Sequence, residues 1–62
     1  MLKMMEVIGV SNAGYSEAVK TAVEEIIRAG HSVHFFEVIE QRGAVRGGKI
    51  TEYQVKVKIA VE

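Results

Sequence analysis

The 62-residue sequence contains no cysteine, no proline and no tryptophan, and its aromatic residues are two tyrosines and two phenylalanines. Without cysteine there is no disulfide framework and no thiolate metal site, and His31 and His34, three apart, cannot complete a metal site by themselves. There is no excess of charge either. Eight basic residues balance eight acidic ones, with no long run of either sign, so there is no electrostatic footprint for nucleic acid or an anionic membrane. No apolar run approaches the roughly 20 residues needed to span a bilayer. Met1 to Val10 lacks the uninterrupted apolar stretch and small-residue cleavage site of a signal peptide. A soluble, cytoplasmic protein is the expectation, and with no repeat or low-complexity tract to divide it, residues 1–62 read as a single domain.

What the chain does have is apolar material, 48% of its residues. A monomer of this size buries only about 60% of the surface its unfolded chain exposes. Set about 1.5 kcal/mol of ordering entropy per residue against about 25 cal/mol per Å² of buried apolar area, and such a chain comes out near zero. The staples that rescue most mini-proteins are missing, so association between subunits is the expected source of extra stability.

Leu2 to Val10 mixes Met, Val and Ile with Lys3 and Glu6 and is too short before Gly9 for a stable helix, which predicts a first strand. Ser11-Asn12-Ala13-Gly14 gathers turn and N-cap residues. Tyr15, Ala18, Val19, Ala22, Val23 and Ile26 then recur at offsets of three and four, one apolar stripe on a helix of about four turns. Glu17, Lys20, Thr21, Glu24 and Arg28 form its solvated face, with Glu24 and Arg28 at the i,i+4 spacing of an ion pair. Gly30 is placed to end the helix in a left-handed conformation.

The stretch His34-Phe35-Phe36-Glu37-Val38-Ile39-Glu40-Gln41-Arg42-Gly43 predicts a long second strand. Strict alternation puts Val33, Phe35, Glu37 and Ile39 on one side and His34, Phe36, Val38 and Glu40 on the other. One side serves the core, which leaves an aromatic ring on the other needing cover from a second subunit or a ligand. Gly43 is a candidate bulge, and Arg46-Gly47-Gly48-Lys49 is a two-residue hairpin signal. From Ile50 onward, Tyr53, Val55, Val57, Ile59 and Val61 alternate with Gln54, Lys56, Lys58 and Ala60, a strand with one buried face. The order is strand, helix, strand, strand, an α+β chain with the helix against one face of a three-stranded sheet.

No catalytic constellation emerges. Glu37 and Glu40 fall on opposite faces under strict alternation, so they are not a paired acid and base. Ser11 and Ser16 lack a base, and Ser11 reads as a turn or cap residue. His31 and His34 read as exposed or locally hydrogen-bonded groups. Gly9 and Gly14 lack the third glycine and the α/β context of a dinucleotide fingerprint. Such a chain is suited to bind or store something rather than to transform it.

Ile8-Gly9-Val10-Ser11, the helix after it, Phe35-Phe36-Glu37-Val38, Arg42-Gly43 and Glu52-Tyr53-Gln54-Val55 together resemble the dodecins, small flavin-binding and flavin-storage proteins, over nearly the whole chain. The resemblance implies a β-α-β-β subunit whose three-stranded antiparallel sheet partly wraps its helix, with twelve subunits closed into a hollow shell, a homododecamer. It implies FMN or riboflavin as ligand, with FAD a further candidate, stacked in pairs between subunits. Carried over, the stacking position falls on Phe35, the glutamine that reads the pyrimidine edge on Gln54, and the groups near the ribityl or phosphate part on Arg42 and Lys3. A planar ring offers offset stacking to an isoalloxazine, and an amide both donates and accepts along its edge.

The family's usual stacking residue is tryptophan. The smaller phenyl ring lowers the stack by about 1 kcal/mol per flavin, roughly fivefold in affinity. Three readings result: a non-catalytic flavin-sequestering shell, an assembly of the same fold that has lost flavin for a structural or other ligand-binding role, and a small enzyme subunit using His34 and glutamates at an interface. Native mass separates a shell from a dimer. The resemblance predicts a particle of twelve copies of the 6.8 kDa chain by native mass spectrometry, whereas a dimer would displace the shell.

Overall fold

The computed structural model describes all 62 residues as strand β1 (Lys3–Ser11), helix α1 (Tyr15–Arg28), strand β2 (Val33–Arg46) and strand β3 (Lys49–Val61). The sheet order is β1-β3-β2, and both pairings are antiparallel. The last strand is therefore the central one. That explains why its alternation is the cleanest in the sequence: it is flanked on both sides and covered on one face.

The core lies between that face and the helix. Val55, Val57, Ile59 and Val61 point toward α1 and are buried with Ala18 and Ala22. Each large aliphatic side chain so buried contributes about 1.5–3 kcal/mol. The helix presents alanines where it meets the sheet, and the strand beneath presents Gly9. A Cβ on Gly9 would collide with the Ala18 carbonyl oxygen and stand 2.9 Å from the Ala22 Cβ. Gly9 is thus a contact point between β1 and α1, where only a bare backbone fits.

Helix ends follow from local chemistry. Gly14 is the N-cap and offers no side-chain bond to the first turn. Ser11 Oγ instead accepts a hydrogen bond from the Ala13 N–H at 2.9 Å, so its role is in the turn. Gly30, at φ 98°, ends the helix as its position in the sequence predicts. Gly47 and Gly48, at φ 60° and 75°, form the two-residue turn between the paired Arg46 and Lys49. The Glu24–Arg28 pair does not close; the ion pairs lie elsewhere, at His34–Glu62 and around Lys56.

The second strand departs from strict alternation. Its register against β3 shifts between Val33 and Phe35, between Val38 and Glu40, and between Ala44 and Val45. Each inserted residue exchanges the faces of the residues beyond it. Val33, Phe36 and Val38 therefore stand opposite Val61, Ile59 and Val57, on the helix side. Phe35, Glu37, Glu40 and Arg42 stand opposite Ala60, Lys58, Lys56 and Gln54, on the side away from it. Gly43 keeps regular register opposite Tyr53, and the irregularity falls just after it.

A second departure concerns cover. Helix α1 packs over β1 and β3 and only grazes β2, so β2 has no buried residue on either face. One uncovered ring is expected from the sequence. There are two, with Phe35 51% and Phe36 47% exposed. Only 8 of 62 residues are buried, too thin a core to leave this much apolar surface wet without a large cost.

The Gly9 contact generates a prediction. Gly9→Ala should destabilise the fold by at least about 3 kcal/mol, the upper end for overpacking, because the obstacle is backbone. Gly14→Ala, whose Cβ meets nothing within 4 Å, should stay within about 1 kcal/mol. Urea unfolding of the two variants checks the contrast, and equal midpoints would refute it.

Candidate functional site

The sheet face away from the helix is built by register from three strands. Met4, Glu6, Ile8 and Val10 of β1 and Phe35, Glu37, Glu40 and Arg42 of β2 flank Ala60, Lys58, Lys56 and Gln54 of β3. Along the strands this makes an apolar end, a charged middle and an amide end.

At the apolar end Ala60 is fully buried although no helix covers it. Its ladder neighbours, Met4 on one side and Phe35 on the other, close over a side chain of one methyl. Both neighbours remain about half exposed. The result is a flat apolar platform with an aromatic ring at its rim.

In the middle, Lys56 Nζ lies 2.8 Å from Glu40 Oε1 and 3.8 Å from Glu6 Oε1. The hydrogen bond from Lys56, and then its charge, hold the Glu40 carboxyl below its ordinary value of 4.5. The same pair holds Lys56 above its ordinary 10.5.

At the far end Arg42 Nε donates to Gln54 Oε1 at 2.8 Å, and Gln54 Nε2 donates to Glu52 Oε1 at 2.7 Å. A shallow depression beside them is lined by Ile8, Glu40, Arg42, Gln54, Val55 and Lys56.

Phe35, Arg42 and Gln54 thus share a face. Arg42 and Gln54 are in contact, but Phe35 is not beside them. Phe35 pairs with Ala60 and Arg42 with Gln54, six residues apart along β3, or roughly 20 Å at about 3.3 Å per residue. That exceeds the reach of three fused rings, so no single subunit closes both groups on one planar ligand. Lys3 stands opposite Val61, on the helix side, and is not brought to this face. His34 falls at the first register shift, with Nε2 3.5 Å from Glu62 Oε2. No three His, Asp or Glu side chains within the subunit are grouped to hold a metal ion.

Sequence reasoning passed over Glu52, although it lies two residues from Gln54 on a strand and so shares its face. The Lys56–Glu40–Glu6 cluster was also out of its reach, because it depends on which strands are neighbours.

The dodecin family model matches residues 1–62. The chain belongs to the dodecin family. A dodecin from Streptomyces coelicolor has the same fold, at TM-score 0.93 and 30% identity over 98% of this chain and 87% of its own. A tryptophan-to-phenylalanine mutant of the Thermus thermophilus dodecin is similar at TM-score 0.91 and 30% identity, covering 98% and 91%. The calcium dodecin of Mycobacterium tuberculosis, an immunodominant antigen with a calcium-binding site, is similar at TM-score 0.86 and 30% identity, covering 97% and 86%. No curated protein matches the sequence. The β-α-β-β order and the antiparallel sheet against one helix are those the resemblance implies. No helix is long and apolar enough to cross a membrane.

The Lys56–Glu40 pair sets two pH windows. Because the Glu40 value is depressed, its contribution is present above about pH 4.5 and is lost as pH falls through the lower folded value. Because the Lys56 value is raised, its contribution is present below about pH 10.5 and is lost as pH rises through the higher folded value. In carboxyl-carbon NMR the Glu40 midpoint should lie below 4.5 and return toward it in Lys56→Met. An unchanged midpoint in that variant would mean the pair is absent in solution.

Proposed function

We propose that this protein is a non-catalytic, cytoplasmic flavin-sequestering protein that binds FMN, riboflavin or FAD between copies of itself. The observation that carries the reading is the half-exposed Phe35 on a sheet face whose other end presents Gln54 and Arg42, in a chain of the dodecin family. Membership supports a flavin, and the physical chemistry of the face supports a planar ligand with a polar edge. Phe35 supplies a ring for offset stacking. The Gln54 amide has two donors and two acceptor lone pairs, and Arg42 and Glu52 take one of each. One donor and one acceptor remain, the complement of an N–H beside a carbonyl on the pyrimidine ring of a flavin.

The roughly 20 Å between the two groups assigns them to different subunits in any site that uses both. Ligand binding and self-association are then one process: the ring stacks on Phe35 of one copy and is read by Gln54 of another. Closed symmetric assembly is the usual way for identical chains to cover such faces, and a homododecamer is the assembly the family implies. Arg42 keeps its terminal guanidinium donors for a ribityl hydroxyl or a phosphate. Lys3, on the other side of the sheet, contributes to that role only through a neighbouring subunit.

A second reading keeps the assembly without the flavin, and the observation that favours it is phenylalanine at the stacking position. A phenyl ring stacks less strongly than indole and is harder to oxidise, so a bound flavin keeps more of its fluorescence. Binding is therefore best read by fluorescence anisotropy. FMN anisotropy should rise with micromolar protein. Phe35→Trp should tighten binding about fivefold and quench more strongly, and Gln54→Ala should weaken it about tenfold. No rise in anisotropy for the native chain, with a rise restored by Phe35→Trp, would decide for the flavin-free reading.

A further inference from the structure

Gln54 sits between two side chains that can each form only one kind of hydrogen bond. The Arg42 guanidinium only donates, and the Glu52 carboxylate only accepts. The bonds from Arg42 Nε to Gln54 Oε1 at 2.8 Å and from Gln54 Nε2 to Glu52 Oε1 at 2.7 Å allow one orientation of the amide. Turned over, its NH2 would face the guanidinium and its oxygen the carboxylate, exchanging two charge-assisted bonds for two repulsions. The amide is therefore held by charge on both sides, at a surface where a glutamine would otherwise rotate freely. Neither Arg42 nor Glu52 has an ion-pair partner that would compete for it.

We propose that Glu52 and Arg42 form a two-sided clamp that fixes the direction of the Gln54 amide and thereby sets which carbonyl of a pyrimidine-like ligand edge the protein reads. This rests on the flavin reading above for the identity of the ligand, whereas the clamp itself is a property of the ligand-free subunit. Flavins carry two ring carbonyls, at C2 and C4, flanking one N–H. With the ring held by stacking on a neighbouring copy, the amide oxygen accepts from the N–H and the amide nitrogen donates to one of the two carbonyls. The clamp decides which. Glu52 acts here as a positioning residue, and its sequence signal is its place two residues before Gln54 on one strand face.

The test has a ligand-free arm and a ligand-bound arm. In nitrogen-15 NMR of the full chain, one Nε2 proton of Gln54 should be shifted downfield by the Glu52 carboxylate relative to the amide protons of Gln41. Glu52→Gln, which offers either end of an amide, should bring Gln54 back to the behaviour of Gln41. In the second arm, infrared spectra of riboflavin carbon-13 labelled at C2 or at C4 should show one carbonyl hydrogen-bonded in the native protein. Both carbonyls should be partly bonded in Glu52→Gln, Arg42→Met, which removes both charges, and the other one in the charge-swapped Glu52→Lys, Arg42→Glu pair. A native Gln54 signal that matches Gln41, or a carbonyl pattern unmoved by the swap, overturns the clamp. A downfield signal lost in Glu52→Gln, in a native chain that binds no riboflavin, keeps the clamp and removes the flavin reading.

Discussion

One helix has to cover a sheet that is one strand too wide for it. Helix α1 meets β1 at Gly9 and β3 through Ala18 and Ala22, and this close approach draws it over two strands and away from the third. The small residues that make the contact tight also make it narrow. Strand β2, with Phe35, Phe36, Val38 and Ile39 all exposed, is left outside the core. A chain with 8 buried residues cannot offset that exposure from within, so its apolar surface is a demand for neighbours. The proposed function follows from the same geometry, since a planar ligand between copies covers what the helix does not.

The face away from the helix divides the work by position. Its apolar end offers area with little direction, and its amide end offers direction with little area. Between them the Lys56–Glu40–Glu6 cluster keeps the strands' charges paired. Stacking is tolerant of which ring it meets, while a held amide is not. In the site proposed above, exchanging tryptophan for phenylalanine at Phe35 therefore changes how tightly a ring is held more than which ring is accepted. The tryptophan-to-phenylalanine Thermus dodecin, at TM-score 0.91 to this chain, fits a fold whose core does not depend on an indole.

Much of this was legible in the residues. Period-two alternation from Tyr53 to Val61 identifies the buried strand, the three-and-four spacing from Tyr15 to Ile26 identifies the helix, and Gly30 and Gly47-Gly48 mark where the backbone must reach positive φ. The faces of β2 were not legible, because a bulge leaves no signature in apolar spacing: His34 and Ile39 look like ordinary strand residues, and Gly43, the suspected irregular position, keeps regular register. The role of Gly9 was hidden too, since it depends on the helix that passes over it. For the site, both the sharing of one face by Phe35 and Gln54 and their separation along it require the register. Lys3 stands opposite Val61, on the other side of the sheet from Phe35 and Gln54, a placement that only the strand register gives.

The irregular register of β2 bears on what this strand avoids. As an outer strand of the sheet it offers free amides and carbonyls to any other extended chain. Three offsets within fourteen residues, with Glu37, Glu40 and Arg42 among them, deny an incoming strand a long straight ladder. Pairing of copies backbone to backbone along this edge is thereby disfavoured, and with it lateral growth into fibrils.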